Sequence, residues 1–131
     1  MSDQLYQENI LDYYRHPRNF GVLVNPDIVA RDVNPACGDE VSMYLGIENG
    51  KVKDVRFSGK GCAISLAASS MLTERIVGRS LDEIAQLKKE DVLELLAIPV
   101  SGMRMKCALL GFKVLKLGIV KYLGMEVQSD G

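Results

Sequence analysis

The sequence predicts an α+β domain in which a three-stranded antiparallel sheet carries helices on one face. Three observations predict it. "EVSMYLGI" (40–47) sets Val41, Met43, Leu45 and Ile47 against polar or small neighbours, the period-two pattern of a half-buried strand. "ENGK" (48–51) carries the Asn-Gly pair favoured in tight hairpins, and "VKDVRFSG" reads as the returning strand. Beyond the glycine-rich "SGKG" the chain changes period, and helical spacing with capping signals replaces alternation.

Taken in order, "SDQLYQENILDYYRHPRNFG" begins with a capping Ser2 or Asp3. It spaces Leu5, Ile10 and Tyr13 or Tyr14 helically and stops before Pro17. The stretch from Val22 to Val33 is mostly apolar but broken by Pro26, which predicts one short edge strand near 28–33. The hairpin follows. "CAISLAASSMLTERIVG" is a helix closed by Gly78 at its C′ position. Ser80 and Glu83 form a capping box for "LDEIAQLKK", and "EDVLELLAI" is a further short helix ending before Pro99. Ser101 caps a last long helix, "GMRMKCALLGFKVLKLGIVKYLG". No repeat, linker or low-complexity stretch interrupts this order, so residues 1–131 form one domain.

Composition narrows the function classes. Apolar residues make up 47% of the chain and charged residues 25%, with a formal net charge of −1. Such a chain has no global electrostatic reason to seek nucleic acid or an anionic membrane. No apolar run approaches the roughly 20 residues that span a bilayer, and "MSDQLYQENILDYY" is acidic and amphipathic, unlike a secretory signal. The expected location is cytoplasmic. Three cysteines are an odd number for a closed disulfide framework, and a reducing compartment keeps them as thiols.

Those thiols are the chemical signal. Cys37 falls in "PACGDE" between two strands, Cys62 where the hairpin ends and a helix begins, and Cys107 early in the last helix. Gly38 and Gly61 flank two of them, which lets backbone approach a bulky inorganic group. A helix N-terminus favours the thiolate, the form that binds metal or attacks sulfur. Each residue also has a plainer reading: a lone Cys as apolar filler, Asp39 as a turn residue, His16 as a helix-end residue, the serines of "SLAASS" as helix-packing residues. Lys113, Lys116 and Lys121 read as a solvated helix face, and "GKG" (59–61) lacks the rest of a phosphate loop. The residues by themselves therefore point to a three-thiolate, metal-binding site.

"HPRNFG", "NPACGDEV", "FSGKGCAIS" with "AASSMLTE", and "RMKCALLGFKVL", in this order, resemble the U-type iron–sulfur cluster assembly scaffold family from about residue 5 to residue 118. The resemblance implies the fold read above and a site in which Cys37, Asp39, Cys62 and Cys107 converge on one metal or cluster. It implies a scaffold rather than an enzyme: a [2Fe–2S] cluster assembled from iron and from sulfur supplied by a cysteine desulfurase, then passed to apo iron–sulfur proteins. It also allows a homodimer of the loaded form. Three departures stand out. The histidine that precedes the third cysteine in the better-known branch is Lys106 here, as in the branch associated with the Suf system. The insertion usual in that second branch is absent, and "AIPVSGMRM" lacks the proline-rich signal that recruits a dedicated chaperone. Neither a histidine ligand nor that chaperone is therefore carried over.

Three thiolates and a carboxylate supply the four ligands a [2Fe–2S] core needs, leaving a formal charge of two negative units. The same set fits one tetrahedral Zn²⁺ with the same residual charge. The alternative to a cluster scaffold is thus a zinc-bound sulfur relay in which a Cys accepts persulfide sulfur. Carboxylate holds iron–sulfur centres less firmly than thiolate, which suits Asp39 to release of cargo. Lys106, Arg104 and the glycines Gly38 and Gly61 form the expected surroundings. Cys107, with two cations close in sequence, is the expected persulfide acceptor.

Overall fold

The hairpin organises the molecule, as a computed structural model shows. The structure describes residues 2–36, 38–97, 99–100 and 102–130, with side chains from residue 8 onward except those of 103 and 125–130. In chain order the elements are α1 (Ser2–Arg15), β1 (Ile28–Asn34), β2 (Asp39–Glu48), β3 (Lys51–Lys60), α2 (Ala63–Ile76), α3 (Leu81–Ala85), α4 (Lys89–Leu96) and α5 (Met103–Asp130). Asn49 and Gly50 both take positive φ, 55° and 74°, the backbone of a primed two-residue turn. The sheet order is β1-β2-β3, antiparallel throughout, with Val41 opposite Asp32 and Met43 opposite Phe57. Opposite the Gly46–Ile47 link the register slips by one residue of β3, a bulge at the hairpin end.

Alternation decides which face is covered. Val41, Met43 and Leu45 of β2 and Val55 and Phe57 of β3 are buried, as are Leu72, Ile76, Leu115 and Ile119 from α2 and α5. The opposite face, with Ser42, Tyr44, Arg56 and Ser58, is half-buried at most. Burying each large aliphatic side chain is worth about 1.5–3 kcal/mol, so this one layer carries the stability of the domain. The expected α+β architecture is the one observed. β1 is the open edge. The edge of β3 is partly covered by the segment after α1, where the Phe57 N–H donates to Asn19 O (2.9 Å) and the Gly21 N–H to Phe57 O (2.8 Å).

The predicted helices appear with one difference. Gly78 stands at the C′ position of α2 with positive φ (84°), as read, and its N–H donates to Val52 O of β3. The segment after the capping box does not run through to Lys89. The box forms, Glu83 N–H to Ser80 Oγ and Ser80 N–H to Glu83 Oε1, both at 3.1 Å, yet α3 ends at Ala85. The Lys116 ammonium, from α5, donates to the main-chain oxygens of Ala85 and Leu87 and satisfies them outside a helix. Lys116 is therefore not part of a solvated face. Lys113, exposed and paired with Asp32 at 2.9 Å, and the exposed Lys121 match the expected solvated reading. The caps expected from Ser2 or Asp3 and from Ser101 lie outside the described side chains and residues.

Two glycines let α5 settle on its neighbours. A Cβ at Gly111 would overlap Ser69 Oγ of α2, and one at Gly118 would stand 2.8 Å from Ile28 Cγ2 of β1. Replacing Gly111 with Ala should destabilise the fold, because overpacking costs about 1–3 kcal/mol against roughly 1 kcal/mol gained in helix propensity. Adding Ser69→Ala should recover some of the loss, since the hydroxyl is the atom in the way. Urea unfolding of both single variants and the double variant checks this; strictly additive effects would show that the two positions do not touch.

Candidate metal centre

Four chain segments reach the same end of the domain. β1 ends at Asn34, β2 starts at Asp39, β3 ends at Lys60, and α2 starts immediately after Cys62. Cys62 is the N-cap residue of α2, in extended conformation (φ −74°, ψ 167°) and without a side-chain cap, so its sulfur is not spent on the helix. Cys107 lies in the second turn of α5. One oxygen of Asp39 and the sulfurs of Cys62 and Cys107 all lie within 4.8 Å of one another. Two thiolates on one tetrahedral zinc ion sit about 3.8 Å apart at ordinary Zn–S lengths, so small side-chain adjustments bring these three donors onto a single ion. Cys37 lies outside the described residues.

The environment of the three donors is uneven. Asp39 is only 3% exposed and Cys107 5%, whereas Cys62 is exposed. A buried carboxylate must be hydrogen-bonded. Asp39 Oδ1 accepts the Cys62 main-chain N–H at 3.2 Å, and Oδ2 accepts the Cys62 thiol at 3.5 Å. Gly61 makes room for this arrangement. Its φ is +159°, and a Cβ there would stand 2.6 Å from Asp39 Oδ1 and 2.7 Å from Cγ. The glycine expected as a mere flank of Cys62 is in fact the floor beneath the carboxylate. Gly59 (φ +152°), two residues earlier, lets β3 lie close against β2, since a Cβ there would overlap the main-chain oxygen of Glu40. Gly38 (φ +77°) turns the chain into β2, its N–H bonded to Asn34 O at 2.8 Å.

Of the expected surroundings, Lys106 and Arg104 are exposed on the first turns of α5. Lys106 lines a groove of about 450 Å³ with Asn34, Ala36 and Leu109 beside the site. His16 ends α1, its N–H bonded to Asp12 O at 2.8 Å, and is not among the clustered donors. The serines of α2 pack and dock: Ser69 faces Gly111, and Ser70 Oγ accepts the Arg18 N–H at 2.7 Å. Sequence reasoning passed over Asn34 and read Ser65 only as one of the helix-packing serines of "SLAASS"; both are buried polar residues in the segments that frame the site. Their only trace in the sequence is an Asn-Pro step and one hydroxyl residue in a row of small ones.

With this geometry in hand, the comparisons are specific. The chain matches the family described as NifU-like N terminal domain over residues 5–129. It is 34% identical to the zinc-dependent sulfurtransferase SufU of Bacillus subtilis (strain 168), covering 93% of this chain and 94% of that protein. That alignment spans 139 positions, more than the 131 residues here, so the relative carries residues without a counterpart in this chain. Identity is 35% to the iron–sulfur cluster assembly scaffold protein IscU of Escherichia coli (strain K12), over 89% of this chain and 93% of the relative. Among solved structures, a candidate iron–sulfur cluster assembly scaffold for the SUF system from Fervidobacterium islandicum AW-1 superposes with a TM-score of 0.75. Its sequence identity is 29%, with 91% of this chain and 99% of that one covered.

The Gly61 contact yields a direct test. Gly61→Ala should push the Asp39 carboxylate off the Cys62 N–H and weaken zinc binding while leaving the fold in place. Chelator-competition titration read beside circular dichroism checks both halves. Unchanged zinc affinity would show that Asp39 is not held for metal.

Proposed function

This chain belongs to the family of NifU-like N-terminal domains, and from that premise we propose that it is a scaffold for iron–sulfur cluster assembly. An iron–sulfur cluster, [2Fe–2S] in the simplest case, is its cargo. Cys37, Asp39, Cys62 and Cys107 are the proposed ligands, a cysteine desulfurase the sulfur source, and apo iron–sulfur proteins the recipients. The observation that carries this reading is the convergence of a buried carboxylate and two thiols within 4.8 Å at the end of the domain where β2 and α2 begin. Soft thiolates bind iron and zinc tightly, and one harder carboxylate gives the set a weaker point. Zn²⁺ fits the same donors, and the close grouping of the three described ones suits a single ion. A zinc-bound resting form that accepts sulfur is therefore the second reading, supported by the likeness to a zinc-dependent sulfurtransferase.

Asp39 suits release for a physical reason. When its carboxylate leaves a metal, the Cys62 main-chain N–H at 3.2 Å remains to hold it, so letting go does not strand a buried charge. Asp39→Cys exchanges that ligand for a fourth thiolate. Anaerobically reconstituted parent protein should show visible absorption with matching iron and sulfide. The Asp39→Cys variant should load equally but hand its cluster to an apo-ferredoxin at least about tenfold more slowly, the scale on which ligand changes act at metal sites. Transfer at the parent rate would remove Asp39 from the release step.

Sulfur delivery divides the thiols. Sequence favours Cys107 as acceptor, beside Arg104 and Lys106, whereas exposure favours Cys62. A relay satisfies both. The Cys62 thiolate takes the terminal sulfur of a donor persulfide and the donor cysteine leaves as thiolate. The Cys107 thiolate then attacks that terminal sulfur, releasing Cys62. Each step exchanges one S–S bond for another and needs no outside oxidant. Mass spectrometry after treatment with a desulfurase and cysteine should find persulfide on both residues, and none on Cys107 in a Cys62→Ser variant. Persulfide confined to Cys37, or full labelling of Cys107 without Cys62, would end the relay.

A further inference from the structure

Among the described residues, two buried side-chain polar atoms have no hydrogen-bond partner, Asn34 Nδ2 and Ser65 Oγ. Both belong to segments that frame the metal site. Orphaned buried donors are uncommon in folded proteins, and each calls for an explanation, a bound ion or a catalytic role among them.

Asn34 closes β1 and stands directly opposite Asp39 in the ladder. It is 8% exposed. Its Oδ1 accepts the Ala36 N–H at 3.2 Å, which orients the amide and leaves the NH₂ unused. Directly opposed residues have Cβ atoms about 4.5–5.5 Å apart, within reach of an amide-to-carboxylate bond. Ser65 is wholly buried in the first turn of α2, three residues after Cys62. Its carbonyl accepts the Ser69 hydroxyl at 3.0 Å, while its own hydroxyl has no partner. Ser69 packs on Gly111. One helical turn nearer the site from that contact, Ser65 and Cys107 stand level on the two helices, which start at the same end.

We propose that Asn34 and Ser65 are positioning residues for the loaded site. Ser65 Oγ–H donates to the Cys107 sulfur and Asn34 Nδ2–H to the Asp39 carboxylate once metal or cluster is bound. This rests on the metal-site reading above. A loaded set of thiolates and carboxylate keeps negative charge in a mostly buried place, and outer donors that meet it orient the ligands and strengthen binding. In the empty protein the same donors are buried without reward.

The consequence is an opposition of sign that mere packing would not produce. In the full chain, Ser65→Ala should leave metal-free stability unchanged or raised, because it removes an orphan hydroxyl, and should weaken zinc binding about tenfold. Ser65→Thr keeps the hydroxyl and should restore affinity. Asn34→Asp keeps the oxygen that accepts Ala36 N–H and deletes both donors. Added negative charge alone would tighten zinc, so weaker binding there reports the missing donors. The measurements are zinc affinity by chelator competition and urea unfolding of the metal-free protein. Parent that binds zinc alongside variants that bind it equally well overturns the donor assignment, as does loss of zinc affinity in step with loss of metal-free stability. A parent that binds neither zinc nor, after anaerobic reconstitution, iron and sulfide overturns the site reading itself.

Discussion

The Asp39 carboxylate, held by the Cys62 main-chain N–H at 3.2 Å, is the constraint around which the rest is arranged. It joins the first residue of β2 to the residue that opens α2, across the end of β3. A carboxylate only 3% exposed is costly unless its oxygens are met, and nothing larger than glycine fits at position 61 beneath it. Three requirements thus coincide: a strand that starts with an acid, a neighbouring strand that ends in glycines, and a helix whose N-cap is a cysteine instead of a better cap. Capping is normally the work of Ser, Thr, Asp or Asn, whose oxygens take helix N–H groups. Here the cap side chain makes no such bond, and the helix gives up that stabilisation so that a sulfur can face the site.

The second thiol depends on packing at a distance. Cys107 reaches the group because α5 lies close on α2 and β1, and it lies close because Gly111 and Gly118 have no side chain to hold it off. The Lys113–Asp32 pair at 2.9 Å adds a polar tie between α5 and the open edge strand. Behind the site, the Lys116 ammonium donates to the main-chain oxygens of Ala85 and Leu87 at and just beyond the end of α3. The long helix therefore serves the site at one end and orders the α3–α4 turn further along. The burial of Cys107 and the exposure of Cys62 follow from this: one sulfur sits under the helix pair, the other at its rim.

Much of the fold was legible in the sequence because its signals are local. Alternation over 40–47, the Asn-Gly turn and the Ser80–Glu83 box each depend on residues a few positions apart, and each appears as read. The reading went astray where a distant group intervened. The helix after Ser80 stops early, where a lysine 29 to 31 residues downstream donates to the main-chain oxygens of Ala85 and Leu87. Periodicity carries no information about such a contact.

The same division holds for the site. The sequence by itself determined the candidate donors, Cys37, Asp39, Cys62 and Cys107, and the starts of β2 and α2 at which Asp39 and Cys62 fall, because side-chain chemistry and element boundaries are properties of short segments. Tertiary structure decided that Asp39, Cys62 and Cys107 meet within 4.8 Å, that one thiol is open to solvent and the other covered, that Gly61 is the floor of the carboxylate, and that Asn34 and Ser65 keep buried donors unspent. These are relations between side chains far apart in the chain. They arise only when the strands fix their register and α5 comes down on α2, since both the distance between two donors and the water left around them are set by packing and not by order along the chain.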